Sequence, residues 1–210
     1  MQPRKFDTLI FDFDGTIGDT FDLIVDIVNR HPKLLNADPV DHEEAKKLRE
    51  LPMRDWFKVM QMPFWKIPFF VRFLQKELHQ DIKQVQAFNG IPEVLKTLKS
   101  QGYMLGILTT DIVVTIHDFL KLNNLEIFDF VSSADFIAGK SFTLKRLSKR
   151  YNLEPSRTLY LGDTTRDIKD SKRAGMKVAG VTWGFNTGTL LAKYKPDYLL
   201  NDPKEILTIL

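Results

Sequence analysis

The 210-residue sequence contains no cysteine, which excludes disulfide bonds, thiolate zinc sites and a catalytic thiol. It has no window of about eighteen uncharged apolar residues, so we expect no membrane-spanning helix and no membrane partner. The N-terminal stretch MQPRKFDTLIFDFDG has a short apolar run broken by acids, unlike a signal peptide. These absences together predict a cytoplasmic protein.

One-sided charge is lacking as well. The chain has 30 Lys and Arg against 27 Asp and Glu, a net charge of +3, and no block of five or six like charges. The basic run LKRLSKRY at 144–151 has apolar residues at helical spacing and is typical of a helix with one solvated face. Because polyanion-binding proteins cluster their positive charge, we expect no nucleic-acid partner.

Short apolar runs alternate with helix-like segments in the second half of the chain. Candidate strands lie at 104–110, 128–133, 158–163 and 177–183, and an earlier one lies at 8–13. The segments between the later strands carry apolar residues at helical spacing. This alternation predicts an α/β fold, with a Rossmann-like parallel sheet of five strands covered by helices on both faces.

The region 17–88 departs from this alternation. Its segments are all helical in period and are separated by prolines. We therefore predict an inserted all-helical cap domain at 17–88, with a core domain formed by 1–16 and 89–210.

Polar residues follow three of the predicted strands. They are Asp12 and Asp14, Thr109 and Thr110, and Asp163. Ligands of open α/β sheets bind beyond the carboxyl ends of the strands, so we expect these side chains to meet, together with Lys140 from the start of a predicted helix. Each of these motifs alone also fits a turn or a helix cap, but their joint occurrence favours a site.

The residue types in this set predict phosphoryl chemistry. Asp12 and Asp14 would repel each other unless a cation compensates their charge. With Asp163 they offer three oxygen donors, which suit Mg²⁺. Lys140 and a threonine hydroxyl would complete a cradle for the phosphate of a small phosphorylated metabolite.

The same motifs resemble those of haloacid dehalogenase superfamily phosphatases. They are DFDGT at 12–16, Thr109 after LGIL, Lys140, and GDTTRD at 162–167. The stretches AGMKVAGVTWGFN (174–186) and KPDYLLNDPKEIL (195–207) are similar to phosphoglycolate phosphatase-like members. The helical insert resembles the helical cap of that superfamily.

The resemblance implies a role for each catalytic and phosphate-binding residue. Asp12 would be the nucleophile that forms an aspartyl-phosphate, and Asp14 would protonate the leaving alcohol and then deprotonate water. Thr109, with Thr110 beside it, would bind the phosphoryl oxygens, and Lys140 would hold the negative charges together.

The resemblance also implies a metal site and a supporting carboxylate. Asp12, Asp14 (through its backbone carbonyl) and Asp163 would bind Mg²⁺, and Asp167 would orient Lys140 or a metal-bound water. The acid at position 14 favours a phosphatase or a phosphomutase over a dehalogenase, because only an alcohol leaving group needs a proton.

Two departures from the family pattern leave alternatives open. The family commonly has Asn or Ser after the second-motif Thr or Ser, where this chain has Thr110 followed by Asp111. We expect Asp111 to turn away and cap the following helix. Lys140 is followed by Ser instead of the Pro of many relatives, so Lys145 is the alternative motif lysine.

The sequence as a whole predicts a Mg²⁺-dependent phosphatase for a small, phosphoglycolate-like phosphate monoester, acting as a monomer or weak homodimer. A phosphomutase and a non-catalytic phospho-ligand-sensing or partner-binding protein are the alternatives. As a hypothesis, Arg49 or Arg54 in the segment KKLRELPMRDW contacts the substrate.

Overall fold

The computed structural model describes residues 4–32 and 39–210, so residues 1–3 of the predicted core domain and 33–38 of the predicted cap lie outside the described residues. Within these ranges the chain forms one six-stranded sheet in the order β3-β2-β1-β4-β5-β6, and every neighbouring pair is parallel. The strands are β1 (Thr8–Phe11), β2 (Met104–Thr109), β3 (Phe130–Ser133), β4 (Thr158–Gly162), β5 (Lys177–Val181) and β6 (Tyr198–Leu200).

The sixth strand corrects the prediction of five. β6 has only three residues, and it pairs with β5 alone at the edge of the sheet. A run of three residues is too short to show a strand period, so the sequence pattern did not reveal it.

Among the described residues, helices α1 to α5 lie between β1 and β2, and helices α6 to α9 follow β2. The bounds are α1 (Phe21–Arg30), α2 (His42–Leu48), α3 (Met53–Val59), α4 (Ile67–Asp81), α5 (Ile91–Ser100), α6 (Val113–Leu122), α7 (Lys140–Arg150), α8 (Thr165–Arg173) and α9 (Gly188–Lys193). Short 3₁₀ segments lie at 64–66, 82–84, 155–157 and 203–208. No described helix is both long and apolar enough to cross a membrane.

The sheet is covered on both faces, as predicted. Leu9 and Phe11 of β1 belong to one buried cluster and Ile10 to another, as the two-residue period of a strand requires. The first cluster continues into α5, α6 and the segment 203–208. The second continues into α7, α8 and α9.

The helical insert leaves and rejoins the rest of the chain at one place. The amide of Phe88 donates to the carbonyl of Ile17 (2.9 Å), and the amide of Asp19 donates to that of Gln86 (2.9 Å). Gly18 forms an antiparallel bridge with Ala87. The two connections therefore run side by side as a paired neck, close to the predicted boundaries of the cap.

Candidate active site

The site lies at the carboxyl ends of the three central strands. Phe11 of β1 is in register with Ile107 of β2 and Leu161 of β4, so the three strands end at nearly the same level. The residues just beyond this level are Asp12, Thr109 and Asp163, all buried. The central position of β1 places Asp12 between the other two.

Lys140 joins these residues from the first turn of α7. Its ammonium lies 2.6 Å from Asp12 Oδ2 and 2.8 Å from Asp167 Oδ1, and the side chain is almost fully buried. Its backbone amide donates to Asp170 Oδ2 (2.8 Å), which fixes the start of the helix beside α8. The alternative lysine, Lys145, is exposed on α7. The geometry therefore favours Lys140 as the motif lysine.

Asp167 combines a structural and a site role. It forms a capping box with Thr164 at the start of α8, which satisfies backbone amides of the first turn. Its Oδ1 also accepts from Lys140 and from the hydroxyl of Tyr160 (3.2 Å). Sequence reasoning missed Tyr160, because a tyrosine inside the apolar run of β4 is indistinguishable there from a core residue.

Asp163 is held by groups from two distant loops. Its Oδ1 accepts from the hydroxyl of Thr16 (3.2 Å), and its Oδ2 accepts from the amide of Phe185 (2.6 Å). Gly15 has a φ of +72°, and a Cβ at that position would lie 2.1 Å from Asp163 Oδ2. The Gly-Thr pair after the two aspartates is therefore needed, since glycine makes room for the carboxylate and threonine binds it.

The donor set fits a hard divalent cation. Carboxylate oxygens of Asp12, Asp163 and Asp167 lie within 4.8 Å of one another, and all three residues are buried. Asp167 accepts four hydrogen bonds, from Lys140, Tyr160 and Thr164, whereas Asp12 and Asp163 each have two such contacts. Asp12 and Asp163 therefore keep more lone pairs available to a metal. The side chain of Asp14 is outside this group, and its buried Oδ1 has no hydrogen-bond partner.

Burial governs the protonation of these acids. It raises the pKa of Asp12 to about 7 against the opposing effect of Lys140. It raises the pKa of Asp163 well above its ordinary value, and the charges of Asp12 and Asp167 add to this shift. Burial acts the same way on Asp167, but Lys140 outweighs it and holds the pKa of that carboxyl below its ordinary value. A bound cation would favour the ionised forms of Asp12 and Asp163.

Asp14 and Asp111 form a second acidic pair. Burial, followed by the charge of Asp111, raises the pKa of Asp14 to about 7, and burial raises the pKa of Asp111 to about 7 as well. A carboxyl group with a pKa near neutrality can both give and take a proton under physiological conditions.

The threonines of β2 differ in their surroundings. Thr109 is fully buried, and its hydroxyl oxygen accepts from the amide of Asp111 (2.9 Å), which leaves its hydrogen available to donate. Thr110 lines the cavity described below. The expectation that Asp111 turns away as a helix cap is wrong: Ile112 is the cap residue of α6, and Asp111 lines the same cavity.

A cavity of about 790 Å³, here called the cap–core cavity, lies between the helical insert and the end of the sheet. Asp12, Asp14 and Lys140 line its base. Neither Arg49 nor Arg54, the residues that the sequence suggests as substrate contacts, lines this cavity. Arg54 is largely exposed beside Asp55.

Arg49 instead fastens the insert to the core. Its guanidinium donates to the carbonyls of Gly184 and Phe185, in the loop whose Phe185 amide binds Asp163. Asn186 extends this contact, because its Nδ2 donates to the carbonyl of Leu51 (3.0 Å). Sequence reasoning missed this role, since the partners of Arg49 are backbone carbonyls far away in the chain.

Comparisons with known proteins agree with this geometry. A family model described as haloacid dehalogenase-like hydrolase matches residues 9–181. The chain is 32% identical over 200 residues to a phosphoglycolate phosphatase of Synechococcus elongatus, covering 95% of this chain and 94% of that one. It is 29% identical to pyrophosphatase PpaX of Bacillus cereus, covering 98% and 97%. A solved haloacid dehalogenase-like hydrolase of Streptococcus pneumoniae is 25% identical with a TM-score of 0.82, covering 97% and 98%.

Proposed function

Because this chain is a phosphatase of the haloacid dehalogenase-like hydrolase family, we propose that it is Mg²⁺-dependent and hydrolyses a small phosphate monoester through an aspartyl-phosphate. Phosphoglycolate is the first ester to test, since a relative carries that name. The observation that carries the proposal is the position of Lys140, whose ammonium lies 2.6 Å from Asp12 Oδ2. A lysine there neutralises charge on the nucleophile and on an incoming phosphate.

In the first step, Asp12 attacks phosphorus through a carboxylate oxygen as the bond to the leaving alcohol breaks. Asp14 gives its proton to the departing oxygen. In the second step, Asp14 takes a proton from water, whose oxygen attacks phosphorus and releases Asp12 and inorganic phosphate. The raised pKa of Asp14, about 7, suits both transfers.

The other residues stabilise charge and geometry. Thr109 and Thr110 bind phosphoryl oxygens, and Asp167 and Tyr160 position the ammonium of Lys140. Asp12, Asp163 and the backbone carbonyl of Asp14 would hold Mg²⁺. The cation would supply positive charge that neutralises the transferring phosphoryl group.

We also propose that residues 17–88 act as a cap domain that excludes water from the cavity. The paired neck and the contacts of Arg49 with the core support this division.

Phosphate release from p-nitrophenyl phosphate and phosphoglycolate, with Mg²⁺ or with EDTA, tests the proposal. We expect metal-dependent turnover by the wild-type protein. We expect none by Asp12→Asn, because an amide is a poor nucleophile. The matched control is Asp118→Asn, an exposed acid on α6 outside the cap–core cavity.

Full turnover by Asp12→Asn would contradict the role of Asp12. Activation by a sugar bisphosphate with little net phosphate release would point to the phosphomutase alternative.

A further inference from the structure

The cap–core cavity is large and apolar for a two-carbon acid. Its volume of about 790 Å³ falls in the range of roughly 300–1,000 Å³ found for pockets that hold drug-sized ligands. Much of its wall is apolar and comes from the insert: Val25, Val28, Met53, Trp56, Met60 and Leu74. Such a wall stabilises a ligand in proportion to the apolar surface that the ligand buries. The glycolate group of phosphoglycolate has very little apolar surface to bury.

The cationic residues that line the cavity are poorly placed to bind a substrate carboxylate. Of the three among the described residues, Lys140 is held between Asp12 and Asp167. The guanidinium of Arg166 donates to the carbonyl of Phe136 and lies 3.7 Å from Asp170. The third, Lys47, is exposed to solvent, which screens its charge.

Asp111 adds an unsatisfied acceptor to this wall. It is 3% exposed, and its Oδ1 accepts from the amide of Ile112 (2.7 Å). Its Oδ2 is buried and has no hydrogen-bond partner. A buried carboxylate oxygen without a partner is costly, and a ligand that donates a hydrogen bond to it removes that cost. A substrate carboxylate near Asp14 and Asp111 would instead meet like charge.

From these three observations we propose that the leaving group of the substrate has an apolar body and a hydroxyl or ammonium donor that binds Asp111. Such an alcohol carries no carboxylate next to the ester carbon. This inference rests on the proposed phosphatase function and names its substrate class, which is not that of phosphoglycolate.

The test measures ligand binding without turnover. The probes are leucinol phosphate, phosphoethanolamine, 2-hydroxyethyl phosphate, ethyl phosphate and phosphoglycolate. Each is titrated by calorimetry into the Asp12→Asn protein with Mg²⁺ at about pH 8, above the pKa of about 7 of Asp111. We expect leucinol phosphate to bind at least about tenfold more tightly than phosphoethanolamine, because its isobutyl group buries apolar surface. We expect the two donor-bearing two-carbon esters to bind more tightly than ethyl phosphate, and phosphoglycolate to bind most weakly. The relative affinities of the ammonium and hydroxyl esters distinguish the two donors.

The role of Asp111 is tested by adding Asp111→Asn to this protein, with Asp118→Asn as the matched control. We expect Asp111→Asn to reduce the preference for the donor-bearing esters over ethyl phosphate by about tenfold, and Asp118→Asn to leave it unchanged. An unchanged preference in Asp111→Asn would overturn the assignment of Asp111. Circular dichroism checks that the protein carrying Asp111→Asn is folded. The affinity ranking of the five esters is measured in the Asp12→Asn protein and does not depend on Asp111→Asn.

Phosphoglycolate binding as tightly as leucinol phosphate would overturn the proposed substrate class while leaving the phosphatase function intact. Failure of the phosphatase function would appear separately, as absence of metal-dependent turnover of p-nitrophenyl phosphate by the wild-type protein.

Discussion

At the scale of single residues, the charge balance of the site depends on the ammonium of Lys140. It compensates two buried carboxylates at once, Asp12 at 2.6 Å and Asp167 at 2.8 Å. A buried ion pair contributes little net stability when complete, but removal of one partner leaves an uncompensated charge and costs about 3–5 kcal/mol.

Replacement of Lys140 should therefore affect both folding and activity. We expect Lys140→Met to lower the free energy of unfolding by about 3 kcal/mol and to abolish phosphate release. Lys145→Met, on the exposed side of the same helix, should change the unfolding free energy by less than about 0.5 kcal/mol and retain activity. Urea unfolding and the phosphate assay measure these effects. If Lys145→Met lost activity while Lys140→Met retained it, Lys145 and not Lys140 would be the motif lysine.

The sequence predicts residues of the site when their position follows from the fold. Asp12, Thr109 and Asp163 were predictable because parallel strands end at one edge of a sheet. Tyr160 was not, since its hydroxyl acts only through the arrangement of β4 beside α7 and α8. Arg49 was assigned to the substrate because the sequence contains no sign of the carbonyls that it contacts.

At the scale of elements, hydrogen bonds connect the segment after α2 to the loop after β5. Arg49 binds the carbonyls of Gly184 and Phe185, and the amide of Phe185 binds Asp163. The position of an Asp163 oxygen therefore depends on a contact made by the insert.

Loss of this contact should weaken metal binding before it affects the chemistry. We expect Arg49→Ala to raise the Mg²⁺ concentration needed for half-maximal activity several-fold, with turnover largely recovered at saturating Mg²⁺. Arg54→Ala is the matched control, since that side chain is 75% exposed and lies outside the cavity. Activity titrated against Mg²⁺ measures the difference. A raised KM for substrate at saturating Mg²⁺, with an unchanged Mg²⁺ requirement, would restore Arg49 to the role of a substrate ligand.

At the scale of the whole molecule, the order of the strands explains why the fold was largely predictable. β1, β2, β4 and β5 are largely buried strands, and helices separate the successive strands from β1 to β5, a pattern that specifies a parallel α/β sheet. β6 was not predicted because its three residues, Tyr198–Leu200, are too few to show the two-residue period of a strand.

The site acids should also make global stability depend on pH. Asp12, Asp14 and Asp111 have pKa values of about 7 in the folded protein, far above those of an unfolded chain. Between about pH 5 and pH 8 the folded state therefore binds more protons than the unfolded state, and its free energy of unfolding falls as the pH rises. Mg²⁺ should reduce this fall, because it favours the ionised forms.

Urea unfolding at several pH values, in EDTA and in Mg²⁺, measures this dependence. Asp111→Asn removes one of the three groups and should flatten the slope in EDTA, whereas Asp118→Asn should not. Stability that rises from pH 5 to pH 8 in EDTA would contradict the protonation states inferred for the site.

The paired neck has a consequence for how such proteins diversify. Because the chain departs and returns through adjacent, hydrogen-bonded connections at Ile17–Asp19 and Gln86–Phe88, the length of the insert does not alter the spacing of the strands. The insert can be exchanged for a longer or shorter one while the aspartates keep their places. Under the proposed function, a change of insert would alter which alcohol is recognised without rebuilding the machinery that breaks the phosphate ester.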